Sequence, residues 1–109
     1  MFLGLAAPAL ADPPQIVDAT AERTGDTFRV SVTLLHADTG WEDYADAWRV
    51  VTEGGAVVGE RILVHPHVEE QPFTRSLGGL TLDPEGTYFI EARSLGEGYG
   101  PDRFALRVE

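Results

Sequence analysis

The three histidines of this 109-residue chain are the side chains whose type and spacing most directly suggest chemistry. His65 and His67 flank Pro66, and on an extended strand that i, i+2 spacing turns both imidazoles to one side, with Arg61 on the same parity. Two imidazoles placed this way can reach a single first-row ion. The sequence holds no cysteine, so any metal site has to be built from imidazole and carboxylate. His36 is the expected third ligand, at the rim of the core, with Glu70 and Glu97 as oxygen donors. Copper or zinc is the ion this donor set suits. The same residues also read as a polar strand end whose rings bond to nearby backbone, and the sequence leaves both readings open. Asp38, Glu42, Asp43 and Asp46 form a second acidic group, but their spacing matches no EF-hand loop, so plain solvation competes with calcium there.

A recognition surface is the other candidate. Trp41, Tyr44 and Tyr99 fall in expected loops, Tyr99 between Gly98 and Gly100. Phe73 has the context of a buried anchor, and Arg75 is free to pair with Glu70. Trp41 and Tyr99 would shield the metal site, or Trp41 and Tyr44 would fold back over the end of the core. Catalysis finds little support. Ser31, Ser76 and Ser94 sit in no nucleophile elbow and beside no obvious base. Gly54-Gly55 and Gly78-Gly79 read as turns, since neither opens a helix that could cradle phosphate. The expectation is therefore a protein that is not an enzyme.

Alternation of side chains supplies the scaffold. Phe28, Val30, Val32 and Leu34 share one parity while Arg29, Ser31 and Thr33 share the other, the period of a half-buried strand. Similar patterns place strands over 16–23, 28–34, 48–50, 57–65, 74–82, 88–93 and 103–108, with no helical periodicity between them. About seven short strands separated by turn residues indicate an all-β, two-sheet sandwich of the immunoglobulin or fibronectin-III-like kind. Trp48 falls where such folds bury a tryptophan in the third strand. The run Leu82-Asp83-Pro84-Glu85-Gly86-Thr87-Tyr88 has the form of a tyrosine corner.

Eighteen acidic side chains against eight basic ones give a formal charge of −10, which argues against nucleic acid and against an anionic membrane surface. Residues 1–11 read as the apolar core of an export signal, with Ala9-Leu10-Ala11 as a small-x-small cleavage site before Asp12. No basic leader precedes Phe2, so the expected translation start lies upstream. The segment is too short to span a bilayer, and no membrane insertion is expected. Residues 12–109 would form one domain.

Four stretches, His36-Ala37-Asp38-Thr39-Gly40-Trp41, Tyr44-Ala45-Asp46 with Trp48, His65-Pro66-His67, and Glu70-Gln71-Pro72-Phe73-Thr74-Arg75-Ser76, together with Gly98-Tyr99-Gly100, resemble an uncharacterised family of small exported proteins of Gram-negative bacteria. The resemblance implies a periplasmic setting and a single sandwich domain, and no particular activity. It also implies a histidine just before Gly-Tyr-Gly, where this chain has Glu97, a change that weakens an all-histidine copper site and leaves an oxygen-assisted one. The expectation is thus a non-catalytic periplasmic binding module holding copper or zinc through strand-end histidines. The alternative is an interaction module for a periplasmic protein partner, with no metal.

Overall fold

A computed structural model describes residues 13–108, so the expected export-signal segment 1–11 lies outside the described residues. Nine strands follow in chain order: β1 (Gln15–Thr24), β2 (Thr27–Leu35), β3 (Ala45–Thr52), β4 (Val57–Ile62), β5 (Phe73–Leu80), β6 (Tyr88–Ser94), β7 (Gly98–Tyr99), β8 (Phe104–Ala105) and β9 (Arg107–Val108). They make two sheets, one in the order β5-β2-β1-β9 and one in the order β4-β3-β6-β7 with β8 also on β6. The all-β, two-sheet expectation holds among the described residues.

The alternation read in β2 is observed: Phe28, Val30, Val32 and Leu34 are buried and the intervening residues are not. Opposite them, Trp48, Val50, Ile90 and Ala92 point inward from β3 and β6, so the two sets close one core. Gly25 and Asp26 link β1 to β2 as a two-residue turn between the paired Thr24 and Thr27. Gly25 has φ 66° while no non-glycine residue has positive φ, the pattern of a hairpin turn with glycine at its first central position. The Tyr88 hydroxyl accepts a bond from the Asp83 N–H at 2.9 Å, which ties the crossing between sheets to β6 as the tyrosine-corner motif suggested.

Two expected strands end differently. The strand expected over 57–65 stops at Ile62. The Leu63 N–H turns to the Asp46 carbonyl at 2.9 Å, Leu63 enters the core, and Pro66 has no N–H to continue a ladder. The strand expected over 103–108 divides at Leu106, whose N–H bonds to the Tyr88 carbonyl at 3.0 Å. On one side β8 pairs with β6, and on the other β9 runs parallel to β1. The chain changes sheet there. The two-residue strand β7, formed at Gly98–Tyr99, was not foreshadowed by any alternation.

Candidate functional site

The site is organised by a carboxylate rather than by the His-Pro-His pair. At one end of the sandwich the β2–β3 loop (36–44) meets the β4–β5 loop (63–72), and Asp38 stands between them with its side chain fully buried. Asp38 Oδ1 accepts from the Ala45 N–H at 3.1 Å and lies 2.6 Å from His36 Nδ1. Its other oxygen accepts from the His67 N–H at 2.7 Å. Gln71 fastens the same loops a second time: its Oε1 accepts from the His36 N–H at 3.0 Å, and its Nε2 donates to the His67 carbonyl at 2.7 Å. The peptide between Gln71 and Pro72 is cis.

His36 sits just past the end of β2 and is 5% exposed, at the rim of the core as its parity indicated. A tight turn follows, in which the Asp43 N–H bonds to the Gly40 carbonyl at 3.2 Å and the Thr39 N–H to the Asp43 carbonyl at 3.0 Å. That turn brings Asp43 back toward His36, so that Asp43 Oδ1 lies 3.8 Å from His36 Nε2. Asp43 Oδ1 is buried and has no hydrogen-bond partner.

His67 is the second unusual donor. It is 5% exposed, stacks on Phe73 with centroids 3.9 Å apart and planes at 10°, and has both ring nitrogens buried without a hydrogen-bond partner. Its Nδ1 is 4.0 Å from Asp38 Oδ2, too far for a hydrogen bond. Burial is the main influence on its titration and lowers its pKa below the ordinary 6.5, with Arg75 and His65 adding to the effect and Asp38 and Glu70 opposing it. His67 is therefore neutral at pH 7, the form that ligates metal.

The expected pairing of His65 with His67 on one solvent face is corrected. Because β4 ends before them, His65 is exposed and lies 3.0 Å through Nδ1 from the Pro66 carbonyl, while His67 turns inward. Their rings still lie 4.6 Å apart, tilted by 42°. Glu70 is exposed and bonds to Arg75 at 3.1 Å, a contact that holds its carboxyl below the usual range. Glu97 is exposed in the β6–β7 turn, which the Leu95 N–H joins to the Tyr44 carbonyl at 2.9 Å. Phe73 is the buried anchor expected. Trp41 is 66% exposed and meets Tyr44 edge-on at 5.7 Å, so it does not plug the core.

Tyr99, two residues past that turn, does not join the histidines. It lies on the outer face of the second sheet, opposite Arg93, where its hydroxyl donates to Glu60 and the Arg49 guanidinium covers its ring at 3.7 Å. Burial and the Glu60 bond push its phenol pKa upward. Arg49 continues to Glu91 at 2.7 Å, and Arg93 to Asp46 at 3.0 Å, so Tyr99 serves a cross-strand ionic ladder and shields no histidine. That also removes Asp46 from the acidic group considered for calcium.

Sequence reasoning missed Asp38 and Gln71 as organisers. The available signal was Asp38 two residues after a strand-end histidine, a spacing that lets a turning backbone bring carboxylate and ring together.

Among the described residues, no three His, Asp or Glu side chains stand together as a ready-made ion site. His36 and Asp43 do fit as a pair. First-row ions bind imidazole nitrogen and carboxylate oxygen at about 2.0–2.2 Å, so donors 3.8 Å apart can share one ion lying between them.

Comparisons with known proteins bear on the fold. No protein-family model matches the chain. It is 39% identical to a protein of Halomicrobium mukohataei called "Putative lipoprotein", a match that covers 86% of this chain and 47% of the relative, so the chain spans about half that relative's length. Among solved structures, a superoxide reductase (neelaredoxin) from Ignicoccus hospitalis superposes with a TM-score of 0.53 at 15% identity, over 90% of this chain and 81% of that one. A hypothetical protein from Pyrococcus horikoshii gives 0.52 at 18% identity, over 88% of each chain. At these identities the likeness is one of fold. It nevertheless overturns the expected non-catalytic module, with metal or with only a protein partner, because this sandwich is one on which superoxide reductases are built. No helix among the described residues is long and apolar enough to cross a membrane. What these comparisons establish is a two-sheet β-sandwich shared with superoxide reductases and joined by sequence to one archaeal relative.

Proposed function

We infer that this chain is a metal-dependent redox protein that acts on a small oxygen species such as superoxide, with a redox-active ion held between His36 and Asp43. The observation that carries the reading is the 3.8 Å approach of His36 Nε2 to Asp43 Oδ1, a buried carboxylate oxygen with no hydrogen-bond partner. A buried, unpartnered carboxylate oxygen is costly unless a cation or a proton donor meets it. The fold shared with superoxide reductases supports the same reading. Zinc, which has no redox chemistry, does not serve it; iron or copper does.

When bound, the ion would supply one-electron exchange. The chain's own residues set the surroundings. His36 and Asp43 hold, the separate bonds of Asp38 and of Gln71 fix the two loops, and His67 is held by its stack on Phe73. Trp41 and Tyr44 stand at the outer rim of the same loop. The finer fold type is an immunoglobulin or fibronectin-III-like one, supported by the strand orders and the Tyr88 bond. An exported or membrane-anchored setting is supported by the relative's name.

The test is superoxide consumption. The chain is loaded anaerobically with Fe(II) or with copper, and decay of pulsed superoxide is followed optically. The loaded protein should consume superoxide well above the rate of the same free ion with the unloaded chain's His36→Ala variant. Equal rates for loaded wild type and the variant would overturn the reading.

A further inference from the structure

We propose that the loop end of the sandwich where Trp41 stands is a docking surface for a second protein, one that presents an apolar patch bordered by lysine or arginine. The inference goes beyond the functional reading above and does not depend on it.

Antiparallel pairing brings the last residues of β2, β4 and β6 to the same end of the molecule. Three connections meet there. Loops 36–44 and 63–72 are joined by the bonds of Asp38 and of Gln71, and the turn at 95–97 is joined to them by the Leu95 N–H on the Tyr44 carbonyl. Eight large apolar side chains are exposed among the described residues. Six of them, Leu35, Trp41, Ile62, Val64, Val68 and Leu95, lie in these connections or at the strand residue leading into one. Val64 is 69% exposed, more than Trp41. The opposite end differs: its turns carry Gly25-Asp26, Glu53-Gly54-Gly55-Ala56 and Asp83-Pro84-Glu85-Gly86, small or polar residues throughout. Large apolar groups left in water add nothing to folding, and their concentration at one end marks a surface that another molecule covers. A tryptophan flanked by tyrosine, as Trp41 is by Tyr44, is the kind of side chain that anchors a protein interface.

The border of the patch decides the kind of partner. The three connections contain six carboxylates and no lysine or arginine. Asp38 is buried and Glu70 meets Arg75, but Glu42, Glu69 and Glu97 are exposed. An apolar centre with an acidic border is matched by an apolar centre with a basic one. A second copy of this chain would set the same carboxylates face to face, and an anionic bilayer would set them against phosphate. A zwitterionic bilayer would leave them unmatched.

The test uses model probes on the full chain. A labelled amphipathic helical peptide of leucine and lysine is titrated by anisotropy beside a leucine–glutamate peptide of the same pattern. Phosphatidylcholine vesicles and sedimentation of the chain alone accompany it. The leucine–lysine peptide should bind saturably. Combined Trp41→Ser, Val64→Ser and Val68→Ser should weaken that binding about tenfold or more. Combined Glu42→Gln, Glu69→Gln and Glu97→Gln should also weaken it, while Val57→Ser at the other end should leave it unchanged. All these side chains are exposed, so the variants should keep the wild-type far-ultraviolet dichroism. Equal affinity for wild type and the apolar triple variant overturns the proposal, because net charge alone then attracts the peptide. Tighter binding of the leucine–glutamate peptide overturns it too, as does uptake by vesicles, or self-association, without peptide binding.

Discussion

Replacing Asp38 with alanine removes the acceptor of two backbone N–H groups and of one imidazole N–H in a place water does not reach. Each buried donor left without a partner costs about 1–3 kcal/mol. Some of that is recovered, because the variant no longer buries a carboxylate, and breaking one side of a buried charged network costs about 3–5 kcal/mol in net terms. Asparagine should lose much less. Its oxygen can replace Oδ1 and keep the bonds from His36 and Ala45, so only the His67 N–H faces an amide nitrogen in place of an acceptor. One lost bond to a charged group is about 1.5–3 kcal/mol. Urea unfolding of the wild type and both variants, followed by tryptophan fluorescence from buried Trp48, gives the two differences directly. The expected order is wild type, then Asp38→Asn, then Asp38→Ala, with the alanine variant losing a large share of the roughly 5–15 kcal/mol a domain possesses. Equal stability of the two variants, or a loss below about 0.5 kcal/mol for alanine, would refute the reasoning that Asp38 ties the loops together.

Other consequences are separable. Phe73→Ala removes a fully buried ring and the surface on which His67 stacks, and should cost about 3–5 kcal/mol in the same unfolding assay. Tyr88→Phe keeps the ring and deletes only the acceptor of the Asp83 N–H, so the loss should be about 0.5–1.5 kcal/mol with no change in near-ultraviolet dichroism from the core. The pKa of His67 is lowered in the folded chain relative to 6.5, so the unfolded chain takes up its proton first on acidification. Its contribution to stability is whole above about pH 6.5 and declines as pH falls from there through the lower folded value. Unfolding between pH 7.5 and 5 should show that decline, and His67→Phe should flatten it.

The frame was legible in the sequence because alternation is a direct image of burial. Phe28 to Leu34, Trp48 with Val50, and Tyr88 to Ala92 all alternate, and each takes the inward parity read for it. What did not show was where pairing ends. Val57 to Ile62 and the residues beyond it share a similar composition, but Leu63 is diverted to the Asp46 carbonyl, a partner far along the chain that local pattern cannot reveal. That diversion leaves His65 exposed and turns His67 inward, with the two rings still adjacent. Tyr99 looked like a loop aromatic beside the histidines, yet a short pairing with Arg93 carries it to the face of the second sheet. His36 was placed correctly by parity alone. Asp43, whose Oδ1 lies 3.8 Å from its Nε2, was read only as one acidic loop residue among several, because its approach depends on the Gly40–Asp43 turn.

The central claim is that His36 and Asp43 share an ion, and anaerobic calorimetric titration of Fe(II) into the full chain and into His36→Ala and Asp43→Ala variants tests it most directly. Binding of one ion by the wild type, with affinity lowered at least tenfold by either substitution, is the predicted result. Wild-type affinity retained in both variants, or no iron bound by the wild type, would contradict it.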